Sequence, residues 1–281
     1  MRNLPTLVIE PLVRAALLED LGRAGDLTTD AIIDPGSHSR VAVVSREAGV
    51  VAGLECARLA WTLIDPSVSL DIVQPDGTRV VPGSVIARVS GPSRALLTGE
   101  RVALNFLGHL SGVATGTATI ADAISHTKAK VCDTRKTIPG LRALQKYAVV
   151  AGGGANHRFG LDDAILIKDN HVAVAGGIAA AVARARANAG HLVKVEVEVD
   201  SLEQLRELLD VGADAVLLDN MGPEALAEAV ALVDGRMITE ASGRITPATA
   251  VPLAEAGVDL ISVGWLTHSA RVLDVGLDYL D

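Results

Sequence analysis

Aromatic residues are scarce in this chain: Phe, Trp and Tyr together make up only 2% of its 281 residues. Hydrophobic residues still account for 49%, so the core must consist mainly of Ala, Val, Leu and Ile. Such a composition suits buried parallel strands covered by helices better than an aromatic-rich sandwich. Few aromatics and a formal charge of -9 also argue against a nucleic-acid-binding surface.

Cysteines and long apolar runs are also rare. Cys56 and Cys132 form neither a disulfide framework nor a zinc-like spacing, which indicates a reducing compartment. The N-terminus lacks the apolar run of a signal peptide, and the most apolar tract ends at Arg184, too early to span a membrane. We therefore expect a soluble, cytoplasmic protein without a membrane partner.

The chain changes character near residue 112. Before that point, helical patterns and short strand-like runs mix irregularly, with turns at Pro75-Asp-Gly77 and Pro82-Gly83. This mixture predicts an α+β domain over residues 1–112. The segment 266–281 is expected to pack on this domain.

From residue 113 to residue 265, strand-like runs alternate with helical segments. Six runs are visible, beginning near residues 130, 164, 193, 215, 237 and 260. Such alternation predicts a parallel sheet, either as an open doubly wound sheet or as a barrel. A barrel is favoured because polar residues follow strand after strand instead of gathering at one switch point.

The ends of these strands carry the candidate chemistry: Asp133-Thr-Arg-Lys136, Lys168-Asp-Asn-His171, Glu198, Asp219-Asn220, Ser242-Gly243 and Gly264. In a barrel these ends converge on one mouth, where barrel enzymes keep their active sites. Ser242, Gly243 and Gly264 follow the last two strands, where barrels often bind phosphate through backbone amides. We therefore expect a phosphate site at that side of the mouth.

Three charged residues of one strand share parity and so point to the same face: Lys194, Glu196 and Glu198. Charges inside a barrel are costly unless they are paired or used. For Lys194 and Glu196 a structural ion-pair network is the alternative to a function. Glu198 and Asp219, both near the rim, are expected to be functional.

The stretch from Cys132 to His171 concentrates positive charge in an acidic protein. It contains Arg135, Lys136, Arg142, Lys146, His157, Arg158 and Lys168. A solvated, salt-bridged loop is the alternative, but these cations follow predicted strands instead of decorating helix faces. Together with the phosphate site, they indicate substrates that carry phosphates and carboxylates.

A metal bound by histidine is not expected, because no cluster of His, Cys and Glu has zinc spacing. Glu198 and Asp219 could hold magnesium, directly or through waters and a diphosphate, since magnesium prefers oxygen ligands. GxGxxG and P-loop motifs are absent, and Gly152-Gly-Gly154 lacks the strand–turn–helix context of such motifs.

Several motifs together strongly resemble the quinolinate phosphoribosyltransferase family. They are Gly25-Asp-Leu-Thr-Thr29, Gly99-Glu-Arg-Val-Ala-Leu-Asn105, Cys132 through Arg142, Gly152 through Arg158, Ile167 through His171, Val195-Glu-Val-Glu198, Leu217-Leu-Asp-Asn220 and Glu240-Ala-Ser-Gly243. The resemblance implies an incomplete TIM-like α/β barrel of about six to seven strands with an N-terminal α+β domain. It also implies phosphoribosyl transfer from PRPP to quinolinate with release of diphosphate and carbon dioxide, in a magnesium-dependent homodimer that makes nicotinate mononucleotide for NAD biosynthesis.

The substrate-binding residues implied by this resemblance are Arg101, Thr134, Arg135, Lys136, His157, Arg158, Lys168, Glu198, Asp219, Ser242, Gly243, Arg244 and Gly264. The cations from Arg135 to Lys168 would hold the quinolinate carboxylates and the diphosphate, and Arg101 would come from the partner across the dimer interface. Glu198 and Asp219 would bind the ribose, with Asp219 also helping to hold the metal. Ser242, Gly243 and Gly264 would bind the 5-phosphate. The expected catalytic residues are Lys136, Lys168, Glu198 and Asp219.

Two residues depart from the family pattern: Arg244 stands where a second glycine is common, and Ile138 where a threonine is common. Neither departure removes an expected ligand. Three rival functions remain: a paralogous transferase that uses another acceptor, an aldolase with Lys168 as its Schiff-base lysine, and a non-catalytic phosphosugar-binding barrel.

Overall fold

The computed structural model describes residues 4–280 of the chain. Its helices are α1 (Thr6–Leu21), α2 (Leu27–Ile32), α3 (Leu54–Thr62), α4 (Ser93–Ala123), α5 (Arg142–Ala151), α6 (Asp169–Ala175), α7 (Ile178–Asn188), α8 (Leu202–Val211), α9 (Pro223–Val233), α10 (Pro247–Glu255) and α11 (Trp265–His268). Its strands are β1 (His38–Ser45), β2 (Gly49–Val50), β3 (Ser69–Ile72), β4 (Arg79–Val80), β5 (Val85–Pro92), β6 (Lys130–Cys132), β7 (Ile165–Ile167), β8 (Val195–Val199), β9 (Ala215–Asp219), β10 (Ile238–Ser242), β11 (Leu260–Ser262) and β12 (Val275–Tyr279).

The chain divides into two compact units. The first contains the residues up to Ala118, Thr137–Gly153 and the residues from Leu266 onward, and the second contains Thr119–Lys136 and Gly154–Trp265. The sequence pattern put residues 137–153 after the domain boundary, whereas here they group with the first unit. One reason is Gln145, whose side-chain amide donates to the Thr267 carbonyl oxygen at 2.6 Å within that unit.

The first unit is built on an antiparallel four-stranded sheet in the order β12-β1-β5-β3. The last strand, β12, pairs with β1 from Val41 opposite Tyr279 to Ser45 opposite Val275. The C-terminal segment is therefore a structural strand of this sheet. Trp61 on α3 is fully buried, and its indole Nε1 donates to the Leu96 carbonyl oxygen on α4 at 3.0 Å.

A close backbone approach fixes the C-terminal segment against α4 within the first unit. A Cβ atom built on Gly112 would lie only 2.0 Å from the Arg271 carbonyl oxygen. No side chain fits at that distance, so the contact requires glycine in the middle of a long helix.

The second unit contains a parallel six-stranded sheet in the order β6-β11-β10-β9-β8-β7. Each strand from β7 to β10 pairs with the next one along the chain, and β6 pairs with β11. β6 and β7 are the edges of the sheet, so the barrel is incomplete. The predicted six strands and the predicted incomplete α/β barrel with its N-terminal α+β domain are confirmed.

Strand β8 shows why the sheet is buried on one side and polar on the other. Val195, Val197 and Val199 are buried, while Glu196 and Glu198 are half-buried on the opposite face. This alternation confirms the expected shared direction of the two glutamates.

Two carboxylates stabilise the starts of strands in the second unit, and we call them the strand-start clamps. Asp214, just before β9, accepts from the Val195 N–H at 2.9 Å and pairs with Lys194 Nζ at 2.5 Å. Asp259, just before β11, accepts from the Thr239 N–H at 2.9 Å and pairs with Lys128 Nζ at 2.7 Å. Lys194 therefore belongs to a structural ion pair, as the alternative interpretation of this residue predicted.

One helix that the sequence pattern predicts as continuous is interrupted in the structure. A single helix over residues 173–189 is expected, but the structure has α6 and α7 separated by Gly176 and Gly177. Both glycines adopt positive φ angles, +88° and +123°, which end one helix and redirect the chain into the next.

None of the helices in the described range 4–280 combines the length and the apolar character needed to cross a membrane.

Candidate active site

A cavity of about 570 Å³ opens in the second unit at the C-terminal ends of its parallel strands. Of the predicted site residues, the following line it: Thr134, Arg135, Lys136, His157, Arg158, Lys168, Glu198, Asp219, Ser242, Gly243 and Arg244. The lining also includes Leu166, Leu217, Asn220, Glu240 and Ser262, which were not predicted as binding residues.

Two predicted residues are not part of this lining. Arg101 lies on α4 in the first unit, where it borders a separate cavity with Glu19 and Asp20. Gly264 lies two residues beyond Ser262, which does line the cavity.

The side chains converge because parallel strands end at the same edge of the sheet. Thr134, Arg135 and Lys136 follow β6, and Lys168 follows β7. Glu198 is the second-to-last residue of β8, and Asp219 and Ser242 are the last residues of β9 and β10. Strand ends therefore position these side chains, whereas His157 and Arg158 lie in the segment between α5 and β7.

Lys168 and Glu198 form an ion pair across neighbouring strands. Lys168 Nζ lies 2.7 Å from Glu198 Oε2, and the Lys168 side chain remains 47% exposed toward the cavity. The backbone N–H of Lys168 donates to His171 Nδ1 at 2.9 Å, which fixes the start of α6. An ammonium group held by a carboxylate is suited to bind anions, whereas a Schiff-base lysine must be neutral to attack.

Asp219 and Gly243 lie together at the strand ends of β9 and β10. Asn220 donates from Nδ2 to Asp219 Oδ2 at 2.6 Å, and its own N–H donates to the Ser242 carbonyl oxygen at 2.9 Å. Gly243 has a φ of +147°, and a Cβ built on it would lie 3.0 Å from Asn220 Oδ1. The turn therefore requires glycine, and the absent side chain leaves the backbone open to a ligand.

Two arginines lie close enough to repel each other in the cavity. Arg158 donates from Nη1 to the Ala164 carbonyl oxygen at 2.8 Å, while its buried Nε has no hydrogen-bond partner among residues 4–280. Burial lowers the pKa of Arg158, and the nearby charge of Arg135 lowers it further. An anion bound between the two guanidinium groups would relieve both the repulsion and the unsatisfied donor.

The floor of the cavity contains a buried acid cluster, formed by His157, Glu196 and Glu240. His157 Nε2 lies 3.0 Å from Glu196 Oε2 and 3.6 Å from Glu240 Oε1. The backbone N–H of His157 donates to Asp133 Oδ1 at 3.0 Å. Burial raises the pKa of Glu240 to about 7, the charge of Glu196 adds to the rise, and His157 partly offsets it.

Sequence spacing could not reveal this cluster, because its three members come from widely separated segments. The sequence singled out His157 as a binding residue, the parity of β8 placed Glu196 on one face with Glu198, and Glu240 appeared only within a motif. The ligand atoms of the three side chains all lie within 4.8 Å of one another, although their spacing along the chain is not that of a zinc site.

An α/β barrel with cations, carboxylates and open backbone at its mouth belongs to the class of barrel enzymes that act on anionic substrates. Residues 113–278 match the family model described as quinolinate phosphoribosyl transferase, C-terminal domain, and residues 26–111 match the corresponding N-terminal domain. The chain therefore belongs to the quinolinate phosphoribosyltransferase family, as its motifs predicted.

Individual relatives agree over nearly the whole length. The nicotinate-nucleotide pyrophosphorylase (carboxylating) of Mycobacterium leprae is 46% identical over 274 residues, covering 95% of this chain and 95% of the relative. The "probable nicotinate-nucleotide pyrophosphorylase (carboxylating)" of Bacillus subtilis is 44% identical over 272 residues, covering 97% of this chain and 93% of the relative. A crystal structure of NadC from Streptococcus pyogenes has a TM-score of 0.95 and 44% identity, covering 100% of both chains.

Proposed function

We propose that this chain transfers the phosphoribosyl group of PRPP to the ring nitrogen of quinolinate. Diphosphate and carbon dioxide leave, and nicotinate mononucleotide forms for NAD biosynthesis. The single observation that carries this proposal is that two guanidinium groups, a carboxylate pair and an open glycine turn line one cavity in a member of this family.

The cationic side of the cavity suits a planar dicarboxylate. Arg135 and Arg158 offer guanidinium forks that match carboxylates through two parallel hydrogen bonds, and Lys136 and Lys168 add point charges. Thr134 lies beside them in the lining and adds a hydroxyl. We assign this side to the quinolinate carboxylates and to the departing diphosphate.

The carboxylate side suits the sugar. When diphosphate leaves, the ribosyl carbon becomes cationic, and fixed negative charges near the ring stabilise that state. Glu198 and Asp219 are the carboxylates placed for this role at neighbouring strand ends. Holding both substrates in one cavity supplies a further part of the rate acceleration.

The glycine turn suits the terminal phosphate. Ser242 supplies a hydroxyl, and the backbone at Gly243 approaches without a side chain. Gly264, after β11, completes the proposed phosphate site, and Arg244 adds a cation at its edge. The departure at Arg244 therefore strengthens phosphate binding in this proposal.

Magnesium fits the donor set of the proposed site. Asp219 and Glu198 both present carboxylate oxygens to the cavity, and oxygen ligands are those that magnesium prefers. When bound, the ion would neutralise charge on the diphosphate. Asp219 would hold it, with Glu198 contributing directly or through water.

The chemistry also fixes an order of events. The pyridine ring can accept the electron pair left by carbon dioxide only after its nitrogen has become cationic. We therefore propose that phosphoribosyl transfer precedes decarboxylation. Release of carbon dioxide from quinolinate without PRPP would contradict this order.

A homodimer in the cytoplasm is the assembly that we propose, with no nucleic-acid or membrane partner. Arg101, on the first unit, would complete the quinolinate site of the partner copy. Its side chain borders a cavity that also contains Asn105 and His109. Mixing an Arg101→Ala variant with a Lys168→Ala variant should restore part of the activity, because one of the two sites in a mixed dimer is then intact.

The deciding experiment mixes the purified protein with magnesium, PRPP and quinolinate and follows nicotinate mononucleotide, with nicotinic acid as a parallel acceptor. Product from quinolinate alone supports the proposal. Product from nicotinic acid alone would favour the paralogous transferase. A folded protein that binds PRPP without turning over either acid would favour the non-catalytic phosphosugar-binding barrel.

The aldolase alternative receives its own control. The ion pair between Lys168 and Glu198 does not favour a neutral amine. Borohydride treatment with a carbonyl substrate should therefore leave Lys168 unmodified, and a trapped adduct at this residue would overturn the assignment.

A further inference from the structure

Glu240 is a buried acid at the floor of the cavity for which the proposed transfer step has no use. Only 1% of the surface of Glu240 is exposed to solvent, yet this residue lines the cavity. Its Oε1 has no hydrogen-bond partner within residues 4–280, and the nearest basic atom is His157 Nε2 at 3.6 Å. A buried carboxylate in this position would carry an uncompensated charge.

The histidine of the cluster cannot satisfy both glutamates. The Arg158 N–H donates to His157 Nδ1 at 2.7 Å, so the ring proton is assigned to Nε2. That Nε2–H points to Glu196 Oε2 at 3.0 Å and is thereby used. Glu240 Oε1 therefore lies near a neighbouring carboxylate without a donor, while Oε2 accepts the weak Cys132 Sγ–H bond at 3.9 Å, and the neutral acid is the favoured state of Glu240.

The groups that face Glu240 favour the neutral acid on balance. They are Glu196 on β8, His157, Asp133 and Cys132 at the end of β6, and Ser262 on β11. The carboxylates of Glu196 and Asp133 raise the pKa of Glu240, while His157 and the Ser262 hydroxyl lower it only in part. Burial, the missing donor at Oε1 and the neighbouring carboxylates together favour the neutral acid at Glu240.

The proposed reaction consumes one proton. When carbon dioxide leaves the ribosylated ring, the carbon–carbon bond breaks and its electron pair stays on C2. That carbanion must gain a proton to give the C2–H bond of nicotinate mononucleotide. Among residues 4–280, Glu240 is the only carboxyl group of this cavity lining that is fully buried.

We propose that Glu240 is the acid that protonates C2 of the pyridine ring as carbon dioxide leaves, an inference that rests on the proposed function. Its O–H bond breaks, the proton forms the C2–H bond, and Glu240 remains as a carboxylate. Water returns the proton after the product leaves. Glu196 is a positioning residue whose charge keeps Glu240 neutral between turnovers, and His157 holds Glu196 in place through their hydrogen bond.

The same three side chains could hold a metal ion instead. Their ligand atoms lie within 4.8 Å of one another, but the hydrogen bond between His157 and Glu196 already occupies the nitrogen. That bond leaves Glu240 free to carry a proton, whereas a cation held by all three side chains would replace it.

The test compares wild type with Glu240→Gln, which keeps the side-chain shape but removes the acid. Glu203→Gln is the matched control, because its side chain on α8 is 82% exposed and lies outside the cavity. For each protein we would measure the melting temperature, the affinity for PRPP and quinolinate, and the pH dependence of kcat. Glu240→Asp provides a second acid of shorter reach.

We expect Glu240→Gln to bind both substrates within about threefold of wild type and to lose about 100-fold or more in kcat, the usual range for a lost general acid. Wild-type kcat should fall as pH rises above neutrality, because an ionised Glu240 has no proton to give. Glu240→Gln should lack this alkaline fall, and Glu240→Asp should keep it.

Two results would overturn the proposal. One is a kcat of Glu240→Gln that stays within twofold of the wild-type kcat at every pH. The other is stoichiometric zinc or manganese binding that Glu240→Gln abolishes, since it assigns the cluster to a metal. If wild type itself makes no nicotinate mononucleotide, the proposed function fails first, so the two failures are distinguishable.

Discussion

At the residue scale, Arg158 is the cavity side chain with a buried hydrogen-bond donor that is available to a ligand. It uses Nη1 for the Ala164 carbonyl oxygen and leaves a buried Nε without a partner among residues 4–280. Lysine at this position would keep the charge but lose the fork that matches a carboxylate. We expect Arg158→Lys to raise KM for quinolinate by about 10- to 100-fold, the effect of one charged hydrogen bond.

Steady-state kinetics with quinolinate varied at saturating PRPP would check this expectation. Arg206→Lys is the control, because Arg206 lies on α8, is 52% exposed and contacts only surface glutamates. An Arg158→Lys enzyme with an unchanged KM for quinolinate would show that the two guanidinium groups do not bind the carboxylates.

Gly243 gives a second prediction, on the phosphate side of the cavity. Alanine would combine an unfavourable φ of +147° with a Cβ 3.0 Å from Asn220 Oδ1. We expect Gly243→Ala to raise KM for PRPP at least about tenfold, because the turn must shift away from the phosphate. Gly235→Ala is the control, since Gly235 also has a positive φ but has nothing within 4 Å of its added Cβ. Equal KM values for PRPP in the two variants would remove Gly243 from the phosphate site.

Residue types at strand ends were sufficient to predict the cations and the carboxylate pair. Arg135, Lys168 and Asp219 each follow or end a recognisable apolar run, so their convergence could be inferred from the barrel alone. Glu240 could not be predicted, because it is one inward residue in the middle of a strand. Its importance arises only when burial and the distances to His157 and Glu196 are known.

At the scale of single elements, the strand-start clamps make stability depend on pH. Burial raises the pKa of Asp259, but the bonds from Lys128 and Thr239 more than offset this, so its pKa lies below the ordinary value. A carboxyl group of this kind stabilises the folded state above its unfolded pKa of about 4, and the stabilisation disappears as pH falls through the lower folded pKa.

We therefore expect Asp259→Asn to cost about 1–2 kcal/mol at pH 7, the contribution of a charged hydrogen bond at a partly exposed site. The cost should be smaller at pH 3, because the stabilisation begins to decline once the pH is below the unfolded pKa of about 4. Urea unfolding at both pH values would measure it. Asp71→Asn is the control, because Asp71 is 76% exposed and lies 3.9 Å from Arg88. A pH-independent difference between wild type and Asp259→Asn would contradict the clamp.

Helix α4 gives a prediction about the direction in which a substitution changes the stability of the protein. Glycine to alanine within a helix ordinarily stabilises by about 1 kcal/mol. At Gly112 the added methyl would meet the Arg271 carbonyl oxygen at 2.0 Å, so we expect Gly112→Ala to destabilise the protein instead. Thermal unfolding would check this against Gly222→Ala, where nothing lies within 4 Å of the added Cβ. A raised melting temperature for Gly112→Ala would show that the C-terminal segment is not held at this point.

Periodicity predicted most elements but not their interruptions. The six strands of the second unit were visible as apolar runs because a buried parallel strand is apolar over its length. The break between α6 and α7 was not, because the apolar pattern continues through Gly176 and Gly177. Two consecutive glycines in such a pattern were the available signal.

At the scale of the whole molecule, the cavity concentrates cations in a protein whose net charge is negative. The protein carries a formal charge of -9, while the cavity gathers Arg135, Lys136, Arg158, Lys168 and Arg244. Anionic substrates are therefore attracted only near the mouth, and dissolved salt weakens that attraction. We expect KM for both substrates to rise as potassium chloride increases from about 0.05 to 0.5 M, while the melting temperature changes little. KM values that stay constant over this range would contradict a cavity that acts mainly through its charge.

The alternation of strands and helices predicted a barrel, but it did not show which strands are its edges. Pairing order is a long-range property: β6 binds β11, although more than a hundred residues separate them, and no local pattern records that partnership.

This pairing also has a consequence for the time at which the cavity forms. During synthesis, β8 to β11 can add to β7 one after another, since each pairs with its predecessor. β6 emerges first but finds its partner only when Leu260–Ser262 has been made. The segment Thr134–Lys136 that follows β6 is therefore anchored last, and a chain that stops before β11 would lack one wall of its anion site while still holding most of its sheet.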